Sequence, residues 1–184
     1  IYTGEDTLSL PRRSSDLEAI GYCTDPEAVA DKDGITAALV ACQLAASAKL
    51  AGRSLLDTLD DLAVEHGLYA TAPLSFRVAD PALITAALAR LAADPPKLLA
   101  GAPVIDFVDL GAGYLGLAPT DGYRLETDRG DRVVVRPSGT EPKLKCYLEV
   151  VEPVADRAGL PVAKARAVER LDKIKAELAV ALGF

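Results

Sequence analysis

Methionine and tryptophan are absent from the 184-residue sequence, histidine occurs once and cysteine three times. Cys23, Cys42 and Cys146 offer neither an even disulfide framework nor a metal-ligand spacing, so a reducing compartment is expected. No stretch reaches about 18 uncharged apolar residues, the alanine-rich run 34–51 being broken by Thr36, Gln43, Ser47 and Lys49, and no membrane span is expected. The start lacks a basic end, an apolar core and a small-residue cleavage site. Cytoplasmic localisation is the expectation. The missing methionine, with Ile1 in first place, adds the expectation that the sequence is a piece of a longer protein.

What is present is ample for a core: hydrophobic types make up 50% and charged types 26%, which excludes a disordered chain. Twenty basic residues face 27 acidic ones, for a net charge of −7. That balance disfavours nucleic acid or an anionic membrane as partner, while leaving room for a local anion site. The positive charge is concentrated late: residues 131–184 hold 10 basic and 8 acidic side chains.

Residues 1–15 show no strand or helix period. Asp33 is a cap for a helix over Gly34–Ala51, in which Ile35, Leu39, Cys42 or Gln43 and Ala46 recur at helical spacing. Ser54 and Asp57 have capping-box spacing for a second helix, with Leu55, Leu59, Leu62 and Ala63 as its apolar stripe and an end near His66 and Gly67. Residues 68–78 alternate as a strand, which Pro73 demotes to a short or edge strand. Asp80 and Pro81 start a helix with Leu83, Ile84, Ala87, Leu88 and Leu91 inward, stopped by Pro95 and Pro96.

Short strands follow over 104–110, 114–117, 122–125, 131–136 and 144–151, with a sharp turn at Gly111-Ala112-Gly113. A terminal helix over 162–182 turns Ala165, Val168, Leu171, Ile174, Leu178 and Leu182 to one side. The predicted class is α+β, with a small antiparallel sheet backed by helices in the last part of the chain.

One loop concentrates polar groups between two strands. Val133, Val134 and Val135 lead into Arg136-Pro137-Ser138-Gly139-Thr140-Glu141-Pro142-Lys143, and Leu144, Cys146 and Leu148 alternate beyond it. Arg136 has the geometry for bidentate phosphate contacts, Ser138 and Thr140 carry hydroxyl donors, and Gly139 lets backbone amides approach closely. Lys143 and Lys145 add positive potential, and Glu141 is suited to orient a basic group. A solvated turn with ordinary surface charges is the alternative reading of the same string.

Other candidates have plainer roles. His66 is expected as a cap or an exposed polar group rather than a general base. Asp25, Asp31 and Asp33 are interrupted by Lys32 and carry no dedicated metal site. Asp57, Asp60, Asp61 and Glu65 form a solvated helix face. The glycines at 111 and 113 lack the helix and acidic residue of a dinucleotide fold. Cys146, without an adjacent base, is a packed thiol. Tyr22 and Tyr147 are expected to pack beside their loops.

The string from Arg136 to Tyr147 resembles the C-terminal phosphate-binding loop of the α-D-phosphohexomutases, the phosphoglucomutase/phosphomannomutase group. Glu18-Ala19-Ile20-Gly21-Tyr22 with Asp31-Lys32-Asp33-Gly34-Ile35 is similar to the sugar-binding loop and following helix of that group's third domain. There two successive glutamates are usual, and Leu17 stands in the first place here. The resemblance covers residues 17–184 and leaves 1–16 unmatched.

The resemblance implies residues 17–72 as a truncated α/β third domain and 73–184 as the C-terminal domain, TATA-box-binding-protein-like in the family. It implies that Arg136, Ser138, Gly139 and Thr140 grip a substrate phosphate, with support from Lys143 and Lys145, and that Glu18 contacts sugar hydroxyls. Such enzymes move a phosphoryl group between O1 and O6 of a glucose or mannose phosphate, using a phosphoserine and a Mg²⁺ loop in other domains. Neither motif is in this sequence, so it is expected to supply no catalytic residue, to hold no metal and to be inactive without the missing N-terminal domains. The alternative is a noncatalytic phosphate-binding or protein-interaction module.

Overall fold

Period-two alternation governs the C-terminal two thirds of the chain, and in the computed structural model, which describes residues 33–184, it becomes one antiparallel sheet. The strands are β1 (Leu68–Arg77), β2 (Leu98–Leu99), β3 (Ala102–Asp109), β4 (Tyr123–Thr127), β5 (Arg132–Pro137) and β6 (Lys143–Glu152), in spatial order β1-β6-β5-β4-β3-β2. The helices are α1 (Gly34–Leu50), α2 (Leu55–His66), α3 (Ala82–Ala93) and α4 (Leu160–Leu182), with 3₁₀ turns at Leu110–Ala112 and Arg157–Gly159. An α+β architecture is therefore present, with helices backing an antiparallel sheet.

Contacts divide the residues into two units, one ending at Leu59 and including Leu115–Ala118, the other formed by Asp60–Tyr114 and Pro119–Phe184. In the first, Asp33 caps α1 by accepting from the amides of Ile35 (3.1 Å) and Thr36 (2.9 Å). Ser54 and Asp57 close a reciprocal box at the start of α2: the Ser54 amide donates to the Asp57 carboxylate (2.8 Å), and the Asp57 amide donates to Ser54 Oγ (3.2 Å). The apolar stripes expected here are not buried: no residue of α1 is, and of the α2 stripe only Ala63, in the second unit, goes inside.

The second unit holds the core. Leu144, Cys146, Leu148 and Val150 of β6, with Val133 and Val135 of β5, pack with Leu171, Ile174, Leu178 and Leu182 of α4 and Ile84, Ala87 and Leu91 of α3. Each large side chain so buried contributes about 1.5–3 kcal/mol. The expected phase of α4 holds from Leu171 onward; earlier, Leu160, Ala163 and Ala167 face inward while Ala165 and Val168 are exposed. Steps of four back from Leu171 select 167 and 163 in a straight 3.6-residue helix, whereas 168 falls on the flank of that stripe and 165 farther round.

β1 is an edge strand, as Pro73 requires, yet it is ten residues long and pairs with β6 without a break from Leu68↔Glu152 to Arg77↔Lys143. An edge position leaves every other amide free of the ladder, which accommodates proline. A division between residues 72 and 73 falls inside this strand. The expected strand over 114–117 does not form, because Leu115 (φ 48°) and Gly116 (φ 80°) turn the backbone out of the extended region. At 110–112 the chain makes a 3₁₀ turn, capped by Asp109, whose carboxylate accepts from the Gly111 amide.

A buried ionic cluster ties α4 to the sheet. Asp131 is fully buried, and its Oδ1 lies 3.3 Å from Arg170 Nη2 and accepts from the Val151 amide at 3.3 Å. The same guanidinium reaches Glu152 (3.1 Å) and donates to the Val151 carbonyl (2.6 Å), and Arg166 meets Glu152 from outside (3.1 Å).

Candidate functional site

The hairpin between β5 and β6 carries the candidate loop, and three contacts hold its shape. The Ser138 amide donates to the Lys143 carbonyl (2.9 Å), the Lys143 amide to the Glu141 carbonyl (2.7 Å), and the Val78 amide, just past β1, to the Pro142 carbonyl (3.0 Å). Glu141 bridges Arg77 (2.7 Å) and Lys143 (3.2 Å), residues that pair across β1 and β6. Lys143 first, then Arg77, holds the Glu141 carboxyl below its ordinary value. The loop's acidic group is thus neutralised by two cations.

Ser138, Gly139 and Thr140 line one cavity of about 910 Å³. Its opposite wall is α3, through Ile84, Thr85 and Leu88, and its rim includes Asp109, Asp121, Gly122 and Tyr123. Ser138 Oγ is buried and has no hydrogen-bond partner. A hydroxyl left unsatisfied in this way costs about 1–3 kcal/mol, which a ligand oxygen would relieve. An orphaned hydroxyl beside a glycine and a second hydroxyl residue is the donor set that an anion would use.

Arg136 lies two residues before Ser138 and does not line that cavity. Val133 and Val135 are buried on the helix-covered face, so alternation puts Arg136 on the other face, opposite Lys145 in the β5–β6 register. Its guanidinium lies over the Tyr147 ring, 5.7 Å from the centroid. Lys145 is itself buried, and Lys143 is engaged by Glu141. The structure therefore brings Ser138, Gly139 and Thr140 together, sets Arg136 with Lys145 and Tyr147 beside them, and leaves Lys143 in the loop's own clamp. Glu18 lies outside the described residues.

The remaining candidates are placed plainly. His66 ends α2, with its side chain exposed and 3.8 Å from Glu65. Cys146 is buried and burial pushes its thiol up to about 12, which leaves it protonated and unreactive at neutral pH. Among the described residues no group of three or more His, Cys, Asp or Glu is placed to hold a metal ion, and no single helix is long and apolar enough to cross a membrane. Sequence reasoning missed the α3 wall and the rim at Asp121-Gly122-Tyr123. Asp-Gly before a strand is a turn signal that was available, but nothing local ties it to residue 136.

Residues 74–160 match the family described as phosphoglucomutase/phosphomannomutase, C-terminal domain. A probable phosphomannomutase of Haemophilus influenzae is 39% identical over 132 residues, covering 72% of this chain and 27% of that protein. A phosphopentomutase of Mus musculus is 30% identical over 152 residues (74% and 24%), and a phosphoglucomutase of Staphylococcus haemolyticus 31% over 147 residues (72% and 26%). The chain spans about a quarter of the length of these curated relatives.

Proposed function

This chain belongs to the phosphoglucomutase/phosphomannomutase family, carrying its C-terminal domain in residues 74–160, and from that premise we propose that it is the substrate-recognition end of a sugar-phosphate mutase. The whole protein interconverts hexose 1-phosphate and hexose 6-phosphate by intramolecular phosphotransfer, on glucose or mannose phosphate. This chain supplies the phosphate grip, and Glu18, in the string 18–22 that resembles the family's sugar-binding loop, supplies part of the sugar contact. The recognition domain takes in all of β1, so it begins upstream of residue 73, and the residues before it are the end of the third domain.

The observation that carries this reading is the loop itself: an unpartnered Ser138 hydroxyl in a cavity wall with Gly139 and Thr140, two residues beyond a strand arginine with no ion pair among the described residues. In phosphoryl transfer the protein's work is positioning and electrostatic stabilisation. Arg136 neutralises phosphate oxygens, Ser138 and Thr140 donate hydroxyl bonds, and the Gly139 amide is accessible because no side chain covers it. The Mg²⁺ of the resembled family does not fit any group of described residues. It would be held by the N-terminal domains of the whole protein, which would also provide the phosphoserine.

The test is a titration of glucose 1-phosphate into the ¹⁵N-labelled chain at matched ionic strength, against Arg136→Ala. Hydrogen bonds to a charged group are worth about 1.5–3 kcal/mol, so the variant should bind roughly ten- to a hundredfold more weakly. Unchanged affinity would sink the assignment. The pure chain should show no turnover of glucose 1-phosphate, with or without Mg²⁺.

A further inference from the structure

Gly122 sits immediately before β4, whose first residue, Tyr123, pairs with Val135 of β5. Its φ of +135° lies where L side chains are rarely found. A Cβ built there would stand 2.4 Å from the Val135 carbonyl oxygen, 2.9 Å from Arg136 Cβ and 3.1 Å from Arg136 Cα. Other positive-φ glycines, Gly52, Gly101, Gly116 and Gly130, have open space at that point. Gly122 is therefore pressed flat against the backbone of the residue proposed to hold the phosphate. It is kept there by its own carbonyl, which accepts from the Leu110 amide at 3.0 Å. It also lines the cavity with Ser138 and Thr140.

We propose that Gly122 is a positioning residue for the phosphate grip, one that sets Arg136 relative to Ser138–Thr140 by allowing β4 to close onto β5 without a side chain between them. The inference rests on the phosphate-loop reading given above. Any residue larger than glycine must open a 2.4 Å contact to an ordinary van der Waals separation. That moves β5 at Arg136, or β4 away from it, by roughly 1 Å, a displacement large enough to cost a well-aligned site on the order of a hundredfold. The spacing between the Arg136 strand position and the Ser138–Thr140 loop then changes.

The experiment follows the Gly139 and Thr140 amides of the ¹⁵N-labelled chain during titration with inorganic phosphate at constant ionic strength. Gly122→Ala should keep a dispersed spectrum and bind at least tenfold more weakly. Gly130→Ala, also at a positive φ (+80°) but with open space around it, should bind as the parent does. In an Arg136→Ala background, Gly122→Ala should add no further loss, whereas an undiminished loss there would mean that residue 122 acts independently of Arg136 and would overturn the proposal. Unchanged affinity in folded Gly122→Ala overturns it as well. Should that variant fail to fold, Leu110→Pro removes the donor that holds Gly122 and adds no atom beside Arg136; it should weaken binding several-fold, and parent-like binding refutes the role. A parent chain without a saturable shift, or an Arg136→Ala chain that binds like the parent, refutes the phosphate-loop reading itself.

Discussion

Replacing Arg170 by alanine would remove the cation ion-paired with Asp131 and one of two that serve Glu152. Arg170 is 12% exposed, Glu152 9% and Asp131 not at all, so neither carboxylate has water to replace the guanidinium. Breaking a buried pair by deleting one partner costs about 3–5 kcal/mol. The loss stays in that range and far below a full Born penalty because Asp131 takes up a proton instead of remaining a naked anion. Against a total of about 5–15 kcal/mol this is a large fraction. With a urea slope of about 1–3 kcal/mol per molar, the midpoint should fall by roughly 2 M. Urea unfolding followed by tyrosine near-ultraviolet dichroism reads the second unit, where Tyr69, Tyr123 and Tyr147 lie. Arg166→Ala is the internal control: Arg166 is 55% exposed, and its loss should cost no more than about 1 kcal/mol. If both variants cost the same small amount, the cluster is not a buried clamp between α4 and the sheet, and the reasoning fails.

Three further outcomes follow from the same structure. Burial pushes the Asp131 carboxyl above its ordinary 3.8 by more than Arg170 pulls it down; its contribution is therefore full below that value and is lost as pH rises through the raised one. The stability difference between the parent and Asp131→Asn should accordingly shrink or reverse as pH rises above 3.8, and a difference that grows with pH contradicts this. In a Cys23→Ser chain, Cys42, which is exposed, should react with an aromatic disulfide reagent at pH near 8 and Cys146 only after unfolding, since its thiol titrates near 12; two fast thiols in the native chain would refute the burial. Ser54→Ala opens the reciprocal box at α2 and should cost that helix start about 1 kcal/mol, read as faster amide exchange in its first turn, with no change in phosphate binding.

Legibility followed the range of the interactions. Capping depends on residues two or three apart, so Asp33 at α1 and the Ser54 and Asp57 box were readable directly, and the alternation of Leu144, Cys146 and Leu148 announced β6. The strand misplaced at 114–117 looked apolar enough, but Leu115 and Gly116 adopt positive φ, a choice made by the surrounding chain rather than by side-chain pattern. In α4 the pattern was right from Leu171 onward and wrong before it, where Val168 is exposed and alanine at 163, 165 and 167 gave no contrast between faces. The exposed Ile35, Leu39 and Leu44 of α1 show the reverse, a periodic run that names a helix but not what the helix covers.

The sequence by itself determined the chemistry of the candidate site. Arginine, serine, glycine and threonine within five positions constitute an anion-binding donor set whatever the fold, because guanidinium, hydroxyl and uncovered amide are covalent properties of those residues. Only the tertiary structure decided how that set is divided: β5 alternation turns Arg136 to the face away from the helices with Lys145 and Tyr147, while the bend after Pro137 carries Ser138, Gly139 and Thr140 to a cavity walled by α3. It also decided that Gly122, fourteen positions earlier, lies against Arg136, since hydrogen bonding between β4 and β5 is a long-range pairing that no local pattern encodes.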